Sequence, residues 1–79
     1  MRVLVVIERS PTQRYLVHLQ TDALIREVKD LLNNRRHSQA ITTVFTKGQF
    51  LRKVSVDELS SLEADLILSK NNASWDLTK

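Results

Sequence analysis

No cysteine occurs in the 79 residues. Disulfide staples and thiolate metal sites are thereby excluded, the chain suits a reducing cytosol, and its stability has to come from packing. Glycine and proline occur once each, which leaves few sharp turns and no flexible linker. Histidine is limited to His18 and His37. Neither has an acid at ligand spacing and the two do not stand at i, i+4, so no metal site is expected. No Ser/His/Asp set or carboxylate pair has helpful spacing, so no catalytic residue is assigned. The single Gly48 lacks the Gly-Lys-Ser/Thr context of a phosphate loop, and no cofactor is expected. Long apolar runs are missing too: Met1 to Ile7 is too short for a signal peptide, is interrupted by Glu8-Arg9, and nothing reaches the length of a membrane span. The expected location is the cytoplasm.

A chain of this length holds one domain, since it buries only roughly 60% of its unfolded surface. The net charge of +3 is unevenly spread: residues 1–56 carry ten Lys or Arg against four acids, and residues 57–79 carry two against five. A basic body attracts nucleic acid, anionic membrane or an acidic protein face. The densest positive stretch, Arg35-Arg36-His37, follows a helix, where the dipole accounts for it at about 0.3–1 kcal/mol per cation.

The strongest periodicity lies in Asp22 to Asn34, where Leu24, Val28, Leu31 and Leu32 fall on one side of a 3.6-residue period, with Asp22 as cap and two asparagines at the end. Around this helix the pattern alternates. Arg2 to Glu8 and Gln13 to Leu19 read as two strands of a hairpin turned at Ser10-Pro11-Thr12. Tyr15, Val17 and Leu19 are expected to face the helix, leaving Leu4, Val6, Leu16 and His18 on the outer face. That aliphatic area calls either for a partner or for an internal cover, such as the C-terminal tail. Ala40 to Thr46, rich in Ile, Thr, Val and Phe, reads as a third strand, and Lys47-Gly48 as a tight connection in which glycine takes a positive φ. Gln49 to Leu51 continues as a short strand. Ser55 to Leu62 reads as a short helix capped by Ser55 and tacked down by Val56, Leu59 and Leu62, and Asp65 to Leu68 as the last strand. A polar tail follows from Ser69, with Trp75 docking on apolar surface or waiting for a partner.

The order ββαββ, short helix, β resembles the β-grasp fold of ubiquitin-like proteins. The resemblance covers Met1 to Ser69 and rests on Met1-x-Val3-x-Val5, Ile25-x-x-Val28-Lys29-x-x-Leu32, Phe45-Thr46-Lys47-Gly48-Gln49-Phe50-Leu51 and Leu66-Ile67-Leu68. Within the superfamily, Thr46 to Leu51 together with Ala64 to Leu68 is similar to the small YukD/EsaB-type proteins of Gram-positive type VII secretion loci, which implies a cytosolic, non-enzymatic accessory role. The departures matter as well. Conjugated modifiers end in Gly-Gly, whereas this chain ends Trp75-Asp76-Leu77-Thr78-Lys79 and has no glycine after Gly48. Val44 aligns with ubiquitin's central recognition isoleucine, but Ser69 and Arg9-Ser10 replace its other recognition positions, so standard ubiquitin receptors are not expected to bind.

The expectation is therefore an α+β chain of β-grasp type, a mixed sheet on one helix, with a ubiquitin-like domain over 1–69 and a mobile polar tail over 70–79. Its expected function is that of a non-conjugated interaction module, a cytosolic adaptor or regulator linked to secretion, and not an enzyme. The partner-binding residues are taken as Leu4, Val6, Leu16, His18, Val44 and Ile67 on the outer sheet face, which would serve a homodimer as readily as a foreign protein. The rival readings are a nucleic-acid-binding domain using Arg35, Arg36, Arg52 and Lys53, disfavoured because no aromatic interleaves the run, and a non-catalytic subunit of a larger enzyme.

Overall fold

The structure is a computed structural model and describes residues 3–69 together with the backbone of Trp75–Leu77. The N-terminal hairpin pairs β1 (Val3–Ser10) with β2 (Gln13–Leu19) in antiparallel register, Val5 opposite Val17 and Ile7 opposite Tyr15. Helix α1 spans Asp22–Asn33. Its cap is Thr21 rather than Asp22: the Thr21 Oγ1 accepts from the Leu24 N–H at 3.1 Å, and Asp22 is left as the acidic residue of the first turn. Ile25, Val28 and Leu32 form the buried stripe, with Leu24 and Leu31 packed at its margin.

The helix ends without glycine. Arg35 takes a left-handed conformation, φ 60°, the Arg35 N–H donates to the Leu32 carbonyl at 2.9 Å and the Arg36 N–H to the Leu31 carbonyl at 2.7 Å. This is the paired closing pattern that usually places Gly where Arg35 stands.

The expected third strand is absent. His37–Lys47 forms a second helix, α2, which buries Ala40, Ile41 and Val44 against the same sheet face as α1. Ile, Val and Thr each lower helix propensity by at most about 0.7 kcal/mol, whereas burying Ile41 and Val44 contributes about 1.5–3 kcal/mol apiece. Packing therefore decides. The Thr42 hydroxyl is absorbed by donating to the Ser38 carbonyl at 2.9 Å. Gly48 caps α2 with φ −74° and ψ 161°, so positive φ is not its role. A Cβ there would lie 2.5 Å from Val17 Cγ1 and 2.5 Å from the Val44 carbonyl oxygen, and the close approach of the chain to β2 is what requires glycine.

β3 (Gln49–Lys53) then pairs antiparallel with β2 rather than with a later strand. Helix α3 (Val56–Leu59) follows, capped by Ser55. β4 (Leu66–Ser69) returns parallel to β1, and β5 (Trp75–Leu77) pairs antiparallel with β4. The element order is thus ββααβαββ, not the expected ββαββ, short helix, β, and the mixed sheet runs β3-β2-β1-β4-β5. The C-terminal segment supplies an edge strand where a polar tail alone was expected. Met1, Arg2, residues 70–74 and 78–79, and the Trp75 side chain on which the docking question turned, lie outside the described residues.

Both faces of the central strands are covered. Val5, Ile7, Val17, Leu19, Leu66 and Leu68 meet α1 and α2 on one side. On the other, Val6 and Leu16 are buried beneath Val54 and Ala64, with Leu4, Leu59, Leu62 and Ile67 packed around them. The covering segment is pinned at both ends: the Val54 N–H donates to the Arg14 carbonyl at 2.9 Å, and Asp65 and Leu4 exchange two bonds, Leu4 N–H to Asp65 Oδ2 at 3.0 Å and Asp65 N–H to the Leu4 carbonyl at 2.9 Å.

Candidate functional site

Two irregularities in the sheet shape one region of the surface. Between the pairs Glu8–Arg14 and Ser10–Gln13, β1 advances two residues while β2 advances one, so Arg9 is an extra residue. Between Leu16–Arg52 and Val17–Phe50, β3 advances two while β2 advances one, so Leu51 is extra. A bulge of this kind breaks strict alternation and re-aims the side chains beside it. Here Phe50 and Lys53, three apart in sequence, sit opposite Val17 and Tyr15 and share the helix-side face.

Aromatic and cationic groups converge there. The Tyr15 and Phe45 rings meet edge to face, centroids 5.3 Å apart at 82°, and Tyr15 and Phe50 lie 5.7 Å apart at 56°. The Arg9 guanidinium stands over the Phe45 ring at 4.8 Å from its centroid, and the Lys53 ammonium lies 5.8 Å from that of Tyr15. Three of the chain's four aromatic residues are thus in one cluster, and it is not sealed: Phe45 is 36% exposed and Phe50 51%. A cation held over a ring at an exposed site contributes about 0.5–1 kcal/mol. Among the described residues neither Arg9 nor Lys53 is in an ion pair, whereas Arg14, Lys47 and Arg52 are paired with Glu8, Glu27 and Glu58.

β3 borders this cluster and is one edge of the sheet. All five of its residues are exposed, Phe50 and Leu51 among them. Among the described residues no strand pairs with its outer side. An exposed edge offers unpaired N–H and C=O groups to any extended chain.

The residues singled out from sequence fall elsewhere. Leu4, Val6, Leu16 and Ile67 do share the outer sheet face, together with His18, as alternation required. That face is occupied by the chain itself: Val6 is 0% exposed and Leu16 7%. The cover is the segment 54–64, and Val56, expected to help tack it down, points outward. Val44 lies on α2 in the core on the opposite side of the sheet, because the segment that carries it is helical. His18 is half-buried with no hydrogen-bond partner for its Nε2 among the described residues, and His37, at the start of α2, is in the same state.

The basic quartet is not one patch. Arg52 turns to the α3 side of the sheet, where its hydrogen bond holds the Glu58 carboxyl below the usual range and is itself reinforced, its own pKa raised. Lys53 turns to the helix side, and Arg35 and Arg36 lie in the α1–α2 connection. Among the described residues no cluster of His, Asp or Glu is placed to hold a metal ion, and no helix is long and apolar enough to cross a membrane.

Sequence reasoning missed Arg9, Tyr15, Phe45 and Phe50 as a group. A strand reading of Phe45 and strict alternation through Leu51 both hide the convergence, which needs α2 and the two bulges. Compared with known proteins, the chain matches no family model, no curated protein and no solved structure.

Proposed function

We propose that this chain is a small protein-interaction domain, not an enzyme, which captures an extended segment of a partner along the free edge of β3. The reading is carried by one observation: β3 is a sheet edge with every residue exposed, and it presents Phe50 beside an open aromatic cluster. Strand addition draws affinity from main-chain hydrogen bonds and specificity from alternate side chains. The hairpin, the helix lying across it and the parallel return of β4 beside β1 support a divergent β-grasp core in which a helix has replaced the third strand. The likeness of Thr46–Leu51 and Ala64–Leu68 to YukD/EsaB-type sequences supports a non-conjugated accessory role in the cytoplasm, beside a secretion assembly. Placing His18 and His37 on opposite sides of the sheet supports the non-catalytic assignment.

The test is a random-peptide display selection on the immobilised full chain, repeated on Phe50→Ser and Leu51→Lys variants whose fold is checked by circular dichroism. Extended sequences enriched on the wild type and lost on both variants are expected. A selection that yields nothing above an unrelated control protein, or peptides indifferent to both substitutions, overturns the proposal.

A further inference from the structure

The chemistry of the ligand follows from what surrounds the edge, and the step rests on docking at β3 as proposed above. Along β3 the helix-side positions are Phe50 and Lys53, two rungs of the ladder apart because Leu51 is bulged out. A strand added outside β3 would place one helix-side residue next to Phe50 and the next, two positions along, next to Lys53. The first neighbour is a half-exposed ring that gains from burial. The second is an ammonium with no carboxylate partner among the described residues, and Arg9 adds a second such cation on the far side of the Tyr15–Phe45 pair. The five side chains of this cluster carry two positive charges and no negative one.

We infer that the β3 edge takes an acidic extended peptide, in which an Asp or Glu stands two residues from an aliphatic or aromatic anchor. The anchor covers Phe50, and the carboxylate meets Lys53 with Arg9 behind it. Single-stranded nucleic acid, which also seeks cations and rings, fits less well. Stacked bases need open ring faces in series, but here the rings stand at 82° and 56° to one another and the Arg9 guanidinium already lies over Phe45. A second copy of the chain offers the same edge, which carries the positive charges of Arg52 and Lys53 and no carboxylate to meet Lys53, and a pairing centred on either residue would set like charges against each other across the strands, which is unfavourable.

The experiment uses the full chain and defined probes: a fluorescent peptide of roughly eight residues, long enough at about 3.3 Å per residue to overrun β3, with Glu two positions from Ile. Three comparators are its Gln and Lys counterparts and an oligothymidine. Anisotropy gives affinity, and amide NMR shifts locate binding. The Glu peptide is expected to bind best, to weaken with salt, and to shift the amides of β3 and of Phe45. Lys53→Gln should weaken it about two- to fivefold, as loss of an exposed charge pair does, and Arg9→Gln, whose cation acts from across the Tyr15–Phe45 pair, by less, both leaving the Gln peptide unchanged. Equal binding of the Glu and Gln peptides, or indifference to both substitutions, overturns the acidic assignment and leaves β3 docking in place. Binding of none of the peptides overturns both. Preferred binding of oligothymidine, with the same amides shifted, assigns the patch to nucleic acid instead.

Discussion

Replacing Gly48 by alanine separates two reasons for a glycine. Its backbone, φ −74° and ψ 161°, is open to any L-residue, so alanine meets no torsional penalty there. What it meets is matter. Its Cβ would come to 2.5 Å from Val17 Cγ1, a side chain fixed in the core at 1% exposure, and to 2.5 Å from the Val44 carbonyl oxygen, which already accepts the Gly48 N–H at 2.8 Å. Ordinary contact begins at 3.4 Å, so α2 or β2 has to move. Overpacking of this kind costs about 1–3 kcal/mol. The loss of unfolded-state freedom on going from Gly to Ala returns about 0.4–1 kcal/mol. The expected net destabilisation is about 1–2 kcal/mol, which in a domain this size lowers Tm by about 5–15 °C. Thermal melts of the wild type, Gly48→Ala and Gly48→Asn decide between the reasons. A site that needed positive φ would accept Asn more readily than Ala, whereas a crowded site rejects the larger side chain more. A Gly48→Ala protein as stable as the wild type, or an Asn variant more stable than the Ala one, refutes the steric account. Val17→Ala combined with Gly48→Ala should lose less than the sum of the single losses, since one of the two contacts is relieved.

Val6→Asp should lower stability by at least about 3 kcal/mol in urea titration, because that side chain is fully buried beneath the segment 54–64 and its neighbours on the two flanking strands, Leu16 and Ile67, offer a carboxylate no cation; a loss under about 1 kcal/mol, on the order of a surface change, would mean the face is open. Arg35→Gly should instead raise the urea midpoint: a left-handed L-residue costs about 1–2 kcal/mol, glycine's extra freedom gives back about 0.5–1 kcal/mol, and a destabilised variant would contradict the left-handed closing of α1. In NMR titration the Glu58 carboxyl should ionise below its ordinary range and return to it in Arg52→Gln. Since its folded pKa is the lower one, the pair's contribution is present at neutral pH and disappears as the pH falls through that depressed value. Arg52 is exposed and Glu58 about one-third so, and solvent screening keeps the global effect slight.

The hairpin and α1 are legible because composition and spacing agree: β1 and β2 are runs of strand-favouring residues on either side of Ser10-Pro11-Thr12, and Val28 and Leu32 repeat at helical spacing. Ala40 to Thr46 is not, because composition and period disagree. Its β-branched residues argue for a strand, yet strand alternation would group Ile41 with Thr43 and Phe45, and Val44 with Thr42 and Thr46, giving two mixed faces. Helical spacing groups Ala40, Ile41 and Val44, the set the structure buries. Period was the better guide. The outer-face residues of β1, β2 and β4 were placed on the correct side, whereas Val44 was not; alternation also says nothing of what lies above a sheet, and Val54, Leu59, Leu62 and Ala64 form no regular pattern that announces a cover. The candidate site was the least legible part, since it depends on extra residues, Arg9 and Leu51, whose effect is felt only across strands.

The parallel pairing of β1 with β4 also orders events in time. Val5 and Leu66 are neighbours in the sheet though they stand at opposite ends of the described chain, and Leu4 and Asp65 are bonded across a separation of 61 residues. The hairpin and α1 can form from local contacts, but a loop of that length closes only against a large entropy cost. On a ribosome, synthesis would deliver Leu66 and Leu68 after the other buried residues of the core, and both hydrophobic clusters remain open until those residues and their neighbours arrive. Until then the hairpin would show the aliphatic surface of Val6 and Leu16 to the cell, and its exposure would be measured by the duration of translation rather than by the equilibrium of the finished chain.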